Sequence, residues 1–102
     1  MLTSKQRAFL RGQARHLDPI FQIGKDGIGE NTVTAVTDAL KARELVKIHI
    51  LETCPYSPRG AREELCERIG CESVQVIGRK AVLFLQKKKE SGYDLKKLEV
   101  ID

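Results

Sequence analysis

Two glycines three residues apart, in Gly24-Lys25-Asp26-Gly27, are the sharpest chemical feature of the chain. Glycine reaches backbone angles that bulkier residues resist, so such a loop can turn its amide N–H groups outward. A helix is expected to begin just beyond, near Gly29 to Asn31, and its first N–H groups lack intrahelical partners and carry partial positive charge. Loop and helix start together would form a cradle for a phosphate. Lys25 at the tip adds a full charge. Asp26 opposes it, which leaves much of the binding to backbone N–H groups. A bare GxxG also serves as a plain turn, and the spacing alone leaves both readings open.

A row of cations is the second feature. Residues 1–17 carry Lys5, Arg7, Arg11 and Arg15 and no acid, a local +4 equal to the formal net charge of the whole chain. Arg7, Arg11 and Arg15 recur every fourth residue, so on a helix they form a stripe of like charges that repel by roughly a few tenths of a kcal/mol per pair. A bound anion would relieve that repulsion, and so would side chains spreading into water. Arg79, Lys80, Lys87, Lys88 and Lys89 make a second basic stretch, while Glu63, Glu64, Glu67 and Glu72 keep the middle close to balanced. Clustered cations suggest a polyanionic partner. Solvated helix faces are the competing explanation.

Nothing in the sequence assembles a catalyst, which would need a nucleophile with a base, a carboxylate pair in a cleft, or a metal. Glu63 and Glu64 are adjacent on an expected helix and point apart. His16 follows Arg15 at a helix end, and His49 lies on the polar side of a strand with no acid beside it. Cys54, Cys66 and Cys71 form no CxxC pair, and with two histidines they make no four-ligand zinc set. An odd number of cysteines without an export signal also argues against a disulfide framework. The chain is therefore expected to be no enzyme and to hold no metal or cofactor.

The 102 residues suffice for one compact domain, and 41% hydrophobic with 31% charged residues describes a globular chain. No apolar run approaches the roughly 20 residues that span a bilayer. No apolar block follows the first charges, so a cytoplasmic monomer without membrane contact is expected.

The elements that must position these residues follow from periodicity and punctuation. Thr3 and Gln6 make a capping box for a helix from Ser4 to His16, with Phe9, Leu10, Gln13, Ala14 and Leu17 on its core arc. Asp18-Pro19 ends it. Ile20 to Ile23 is a short strand, and the second helix runs to Ala42 with Val33, Val36 and Leu40 inward. In Leu45 to Leu51, Val46, Ile48 and Ile50 alternate with Lys47 and His49, the pattern of a half-buried strand. Ser57-Pro58 starts a third helix that ends at Gly70. Ser73 to Ile77 and Ala81 to Gln86 form a hairpin with a basic tip at Gly78-Arg79-Lys80.

The order α-β-α-β-α-β-β predicts an α/β two-layer sandwich with a four-stranded mixed sheet, parallel where helices cross over and antiparallel at the hairpin. Gln22, Lys47, His49 and Gln75 indicate that one sheet face is left partly open. The loop is not that of an ordinary KH domain, whose GxxG joins two helices, and the open face lacks the aromatic pair of an RRM. GxGxxG is absent, which removes the dinucleotide-binding fingerprint.

Thr3-Ser4-Lys5-Gln6-Arg7, Ile23-Gly24-Lys25-Asp26-Gly27-Ile28, Ala42-Arg43-Glu44-Leu45-Val46-Lys47-Ile48 and Val74-Gln75-Val76-Ile77-Gly78-Arg79 resemble the CRM domain (chloroplast RNA splicing and ribosome maturation) in its bacterial stand-alone, YhbY-like form. The resemblance covers residues 2 to 88, with 1–88 taken as the domain and 89–102 as a C-terminal tail. It implies a fold like the C-terminal domain of translation initiation factor 3, with sheet order 1-2-4-3 and strand 4 antiparallel to the rest. It also implies binding to structured RNA, association with precursors of the large ribosomal subunit, and a role in ribosome maturation. Gly24, Lys25 and Gly27 match the family's RNA loop, with Asp26 between them, and Arg7, Arg11 and Arg15 fit its basic first helix. Arg79 and Lys80 complete the candidate RNA contacts. Cys54-Pro55-Tyr56-Ser57-Pro58 departs from the family pattern and is expected to affect the end of the second strand, not the loop. The alternative is a protein-interaction module docking on ribosomal proteins with incidental RNA contact.

Overall fold

The computed structural model describes residues 2–85. In chain order the elements are α1 (Ser4–Ala14), β1 (Phe21–Ile23), α2 (Glu30–Arg43), β2 (Leu45–Ile50), α3 (Pro58–Ile69), β3 (Glu72–Ile77) and β4 (Lys80–Phe84). This is the expected order. Gln86, the boundary at residue 88 and the tail 89–102 lie outside the described residues.

The caps explain the helix limits. Thr3 Oγ1 accepts from Gln6 N at 3.1 Å, and Gln6 Oε1 accepts from Thr3 N at 2.8 Å, so the box satisfies two orphan donors reciprocally. Ser57 Oγ accepts from Gly60 N with Pro58 in the first turn, and Gly70 closes α3 in the left-handed region at φ +81°. α2 ends differently. Glu44 follows it at φ +66°, buried, with its N–H on the Leu40 carbonyl and its own carbonyl taken by Leu85 N. Nothing at that position signals a turn.

The sheet runs β1-β2-β4-β3, with β1 parallel to β2 and β4 antiparallel to both its neighbours. That is the order the resemblance implied. α2 and α3 cover one face and enclose Val36, Leu40, Val46, Ile48, Ile50, Ala61, Leu65 and Leu83. On the other face α1 crosses only one end, setting Leu10 and Ala14 against Leu45, Val74, Val82 and Phe84. The rest of that face carries Gln22, Lys47, His49, Gln75, Ile77 and Lys80 and stays open, none of them buried.

α1 is rotated relative to the expected arc. Its buried residues are Gln6, Leu10 and Ala14, preceded by Leu2, while Phe9 and Gln13 are exposed. The reciprocal cap lets Gln6 go inward with its amide satisfied, and the i, i+4 row Leu2, Gln6, Leu10, Ala14 becomes the contact ridge.

The rotation also separates the three arginines. Arg7 Nε donates to the Ser73 carbonyl at 3.2 Å, where the β3–β4 register shifts between Ser73 and Gln75. Arg7 thus ties α1 to β3 beside the irregularity. Replacing Arg7 with Gln should therefore lower stability by about 1 kcal/mol, the net worth of one such bond. Arg11→Gln and Arg15→Gln should leave the melting temperature unmoved. Thermal melts of the three single variants check this.

Candidate nucleic-acid interface

β1 and β2 finish at the same end of the sheet where β4 begins, so three connections meet there: residues 24–29, residues 51–57 and the turn at Gly78-Arg79. In open α/β sheets this end, beyond the carboxyl termini of parallel strands, is where ligands usually bind. Gly78 at φ +55° lets the two-residue hairpin turn follow the strand twist.

The Gly24–Gly27 loop is a closed turn. Gly27 N donates to the Gly24 carbonyl at 3.0 Å, so that N–H is spent within the loop and is unavailable to a phosphate. Gly27 lies at φ +68°, and a Cβ there would sit 3.2 Å from Pro55 Cγ and 3.6 Å from Tyr56 Cε2. Lys25 and Asp26 are exposed at the tip. Arg68 of α3 donates to the Ile28 carbonyl at 3.0 Å, and Ile28 is buried. The turn is thus clamped from below by residues 55–56 and from behind by α3.

That clamp corrects one expectation. The Cys54–Pro58 segment does not act on the strand end alone, because Pro55 and Tyr56 fill the space against Gly27. Cys54 Sγ accepts from Tyr56 N at 3.4 Å and holds the segment in place. The contact joins residues nearly thirty positions apart, which no local pattern reports.

Beyond the loop, α2 starts at Gly29 with no side-chain cap, and Asp26, Gly27, Gly29, Glu30, Asn31 and Thr32 surround a shallow hollow of about 540 Å³. Asp26 and Glu30 place two carboxylates where the helix start offers its positive end, which weakens the hollow for anions. Lys25 is the cation of this loop.

The remaining candidates divide into two groups. Arg7 is committed to Ser73, and Arg79 caps the end of β2 through Nε to the Ile50 carbonyl at 2.8 Å and Nη2 to the Leu51 carbonyl at 2.7 Å. Arg11, Arg15 and Lys80 are exposed and make no ion pair with another described residue. These three meet along a groove of about 340 Å³ between α1 and the open half of the sheet, lined also by Lys47, Gln75 and Ile77. Lys47 was not among the sequence candidates. Strand alternation placed it on the polar side, but only the path of α1 brings it beside Arg11 and Arg15.

A thiol pair lies elsewhere, between α3 and β3. Cys71 Sγ donates to Cys66 Sγ at 3.7 Å. That bond, helped by the Arg62 charge, holds the Cys66 thiol below its usual range against the opposing effect of burial. The same bond and burial push Cys71 well up. Among the described residues no three of His, Cys, Asp and Glu gather as a metal site.

Residues 2–84 match the CRS1 / YhbY (CRM) domain. The chain is 40% identical over 95 residues to YqeI of Bacillus subtilis, named a probable RNA-binding protein, across 93% of this chain and 99% of that one. It is 29% identical over 83 residues to a protein of Haemophilus influenzae named RNA-binding protein, across 81% of this chain and 84% of that one. Among solved structures, that of SAV1595 from Staphylococcus aureus, a protein proposed to bind RNA, superposes with a TM-score of 0.69 at 40% identity. The match covers 92% of this chain and 98% of that one.

Two outcomes are expected. Gly27→Ala combines a left-handed backbone with a tight contact on Pro55 and should cost about 1–2 kcal/mol, lowering the melting temperature by roughly 4–8 °C per kcal/mol. Gly24→Ala meets only ordinary contacts with Leu51 and Thr53 and should cost less, which paired melts will show. Substoichiometric alkylation near neutral pH should label Cys66 before Cys54 and Cys71, because the thiolate is the nucleophile. Peptide mapping reads the order.

Proposed function

The chain belongs to the CRS1/YhbY (CRM) domain family, and from that we propose that it is an RNA-binding protein acting without catalysis on structured RNA. Its target is ribosomal precursor RNA, and its role is to assist maturation of the large ribosomal subunit in the cytoplasm. The Gly24–Gly27 loop and the basic first helix make the contact. The relatives named for RNA binding, one of them matched over 99% of its length and the other over 84%, support this reading.

The observation that carries it is the gathering of Arg11, Arg15 and Lys80 about one groove; Lys41, Arg43 and Arg59 are also exposed without an ion pair among the described residues, but they do not line it. On α3, Arg62 and Arg68 each have a carboxylate within 4 Å, Glu63 at 3.4 Å and Glu64 at 3.6 Å. Arg11, Arg15, Lys25 and Lys80, on α1, on the loop and at the start of β4, are exposed and have no acidic partner among the described residues. Unpaired cations gathered on one part of a surface attract a polyanion, and their phosphate contacts set affinity and orientation more than sequence preference. Structured RNA fits such a surface through its backbone shape.

Lys25→Asp tests the loop. The residue is exposed, so stability should stay within about 0.5 kcal/mol. A carboxylate at the tip would meet an approaching phosphate and turn attraction into repulsion. Affinity for a ribosomal RNA stem-loop should fall at least about tenfold, or 1.4 kcal/mol, as measured by fluorescence anisotropy. Lys97→Asp, which lies outside the described residues, makes the same charge change and serves as the comparison. Equal binding by the two variants would reduce the loop to a turn.

A further inference from the structure

We propose that the groove between α1 and the open half of the sheet is a second, sequence-indifferent seat for the RNA sugar-phosphate backbone, with Lys47 as the contact that completes it. This rests on the RNA-binding reading above and deepens it: Arg11 and Arg15 belong to the first helix already assigned to RNA, the open sheet face with Lys47 is what the groove adds, and no loop residue lines it.

The groove is a product of register. On the face that α1 shares, Gln22 of β1, His49 of β2, Lys80 of β4 and Ile77 of β3 stand side by side across the sheet. The next row holds Lys47, Val82 and Gln75. The row beyond begins with Leu45 beside Phe84, and there α1 takes over. The helix therefore stops two rows short of the loop end of the sheet. Along the uncovered edge it presents Ala8, Arg11, Gly12 and Arg15, whose small members leave room between the two guanidinium groups.

Four cations, Arg11, Arg15, Lys47 and Lys80, face this one concavity, and among the described residues no carboxylate lines it. A lysine on a sheet face buries its stem and keeps its ammonium in water, and like charges brought close together destabilise until a counter-charge arrives. Lys47 has no ion pair with a described residue; its neighbours on the sheet are Val82 and, one strand further, Gln75. Concave walls of one sign concentrate the field and raise the local concentration of an anionic partner. A chain of phosphates supplies several counter-charges at once and neutralises the set, which a single carboxylate would not.

The lining also says what is not read. Among the described residues no Phe, Tyr or Trp lines the groove, so these residues offer no stacking platform for unpaired bases. Ile77, 60% exposed, and Gln75 give it an apolar and an amide edge suited to ribose. Such a surface holds backbone and follows its course without distinguishing bases.

The test uses the full chain and a ribosomal RNA stem-loop, with anisotropy titrations over a salt series and a melt of each variant. Lys47→Gln combined with Lys80→Gln should lower affinity at least about tenfold and reduce the slope of log K against log salt by about 1.5, two contacts at 0.7–0.9 each. The melting temperature should hold. If burial of Lys47 makes that variant unstable, Arg11→Gln with Arg15→Gln, both exposed on α1, should give the same loss of slope. A stem-loop of the same shape and scrambled sequence should lose as much. Wild-type affinity and slope in the groove variants, with Lys25→Asp impaired, would overturn the groove and leave the RNA reading intact. Absence of salt-dependent RNA binding by the wild-type chain would overturn both.

Discussion

The pairing of β2 with β4 is the constraint on which the rest of the molecule depends. Leu45 faces Phe84, Lys47 faces Val82 and His49 faces Lys80 on one side of the sheet, while Val46 faces Leu83 and Ile48 faces Ala81 on the other. A slip of one residue would exchange the two sets and send Lys47 into the packed core. Ile48, Ile50 and Leu83 are fully buried beneath α2 and α3, and Val46 nearly so; each contributes about 1.5–3 kcal/mol on transfer from water. That apolar face fixes the register. The register in turn decides which side chains the opposite face can present.

The opposite face is split by α1. Leu10 and Ala14 claim the apolar end, and Arg7 fastens the helix to the irregularity in β3. Arg11 and Arg15, one and two turns further along the same edge, have no such partner among the described residues and line the groove instead. One stripe in the sequence thus serves two purposes, anchoring at its start and presenting charge beyond it. Arg79 makes a similar commitment at the hairpin tip, where it completes the hydrogen bonding at the end of β2, while Lys80 beside it points its charge to solvent. The loop is held by packing of another kind, with Gly27 accepting Pro55 and Tyr56 where any side chain would intrude.

Much of this was legible because it is local. The Thr3–Gln6 box, Ser57-Pro58, Gly70 and the alternation of β2 each declare themselves within a few residues, and the order of elements follows from them. The phase of α1 differs from its hydrophobic pattern because Gln6, polar by type, goes inward with its amide satisfied by the cap. Glu44 ends α2 in a left-handed conformation without the glycine that ordinarily marks one. The commitments of Arg7 to Ser73 and of Arg79 to residues 50–51, and the seat of Gly27 on Pro55, arise from contacts across the fold. Lys47 was visible as a polar strand residue, yet its company depends on where a helix from the far end of the chain crosses the sheet. Local chemistry is written in spacing; the joining of distant charges is not.

On the reading proposed above, RNA meets the side of the protein formed by the loop end and the open sheet face with α1, and leaves the α2–α3 side free. Amide chemical-shift mapping during titration with a ribosomal RNA stem-loop measures this most directly. The largest shifts are expected at residues 24–27, at Arg11 and Arg15, and at Lys47, Gln75 and Lys80, with Val36, Leu40 and Leu65 left in place. Shifts confined to α2 and the exposed side of α3, with the loop and the open sheet face unmoved, would contradict it.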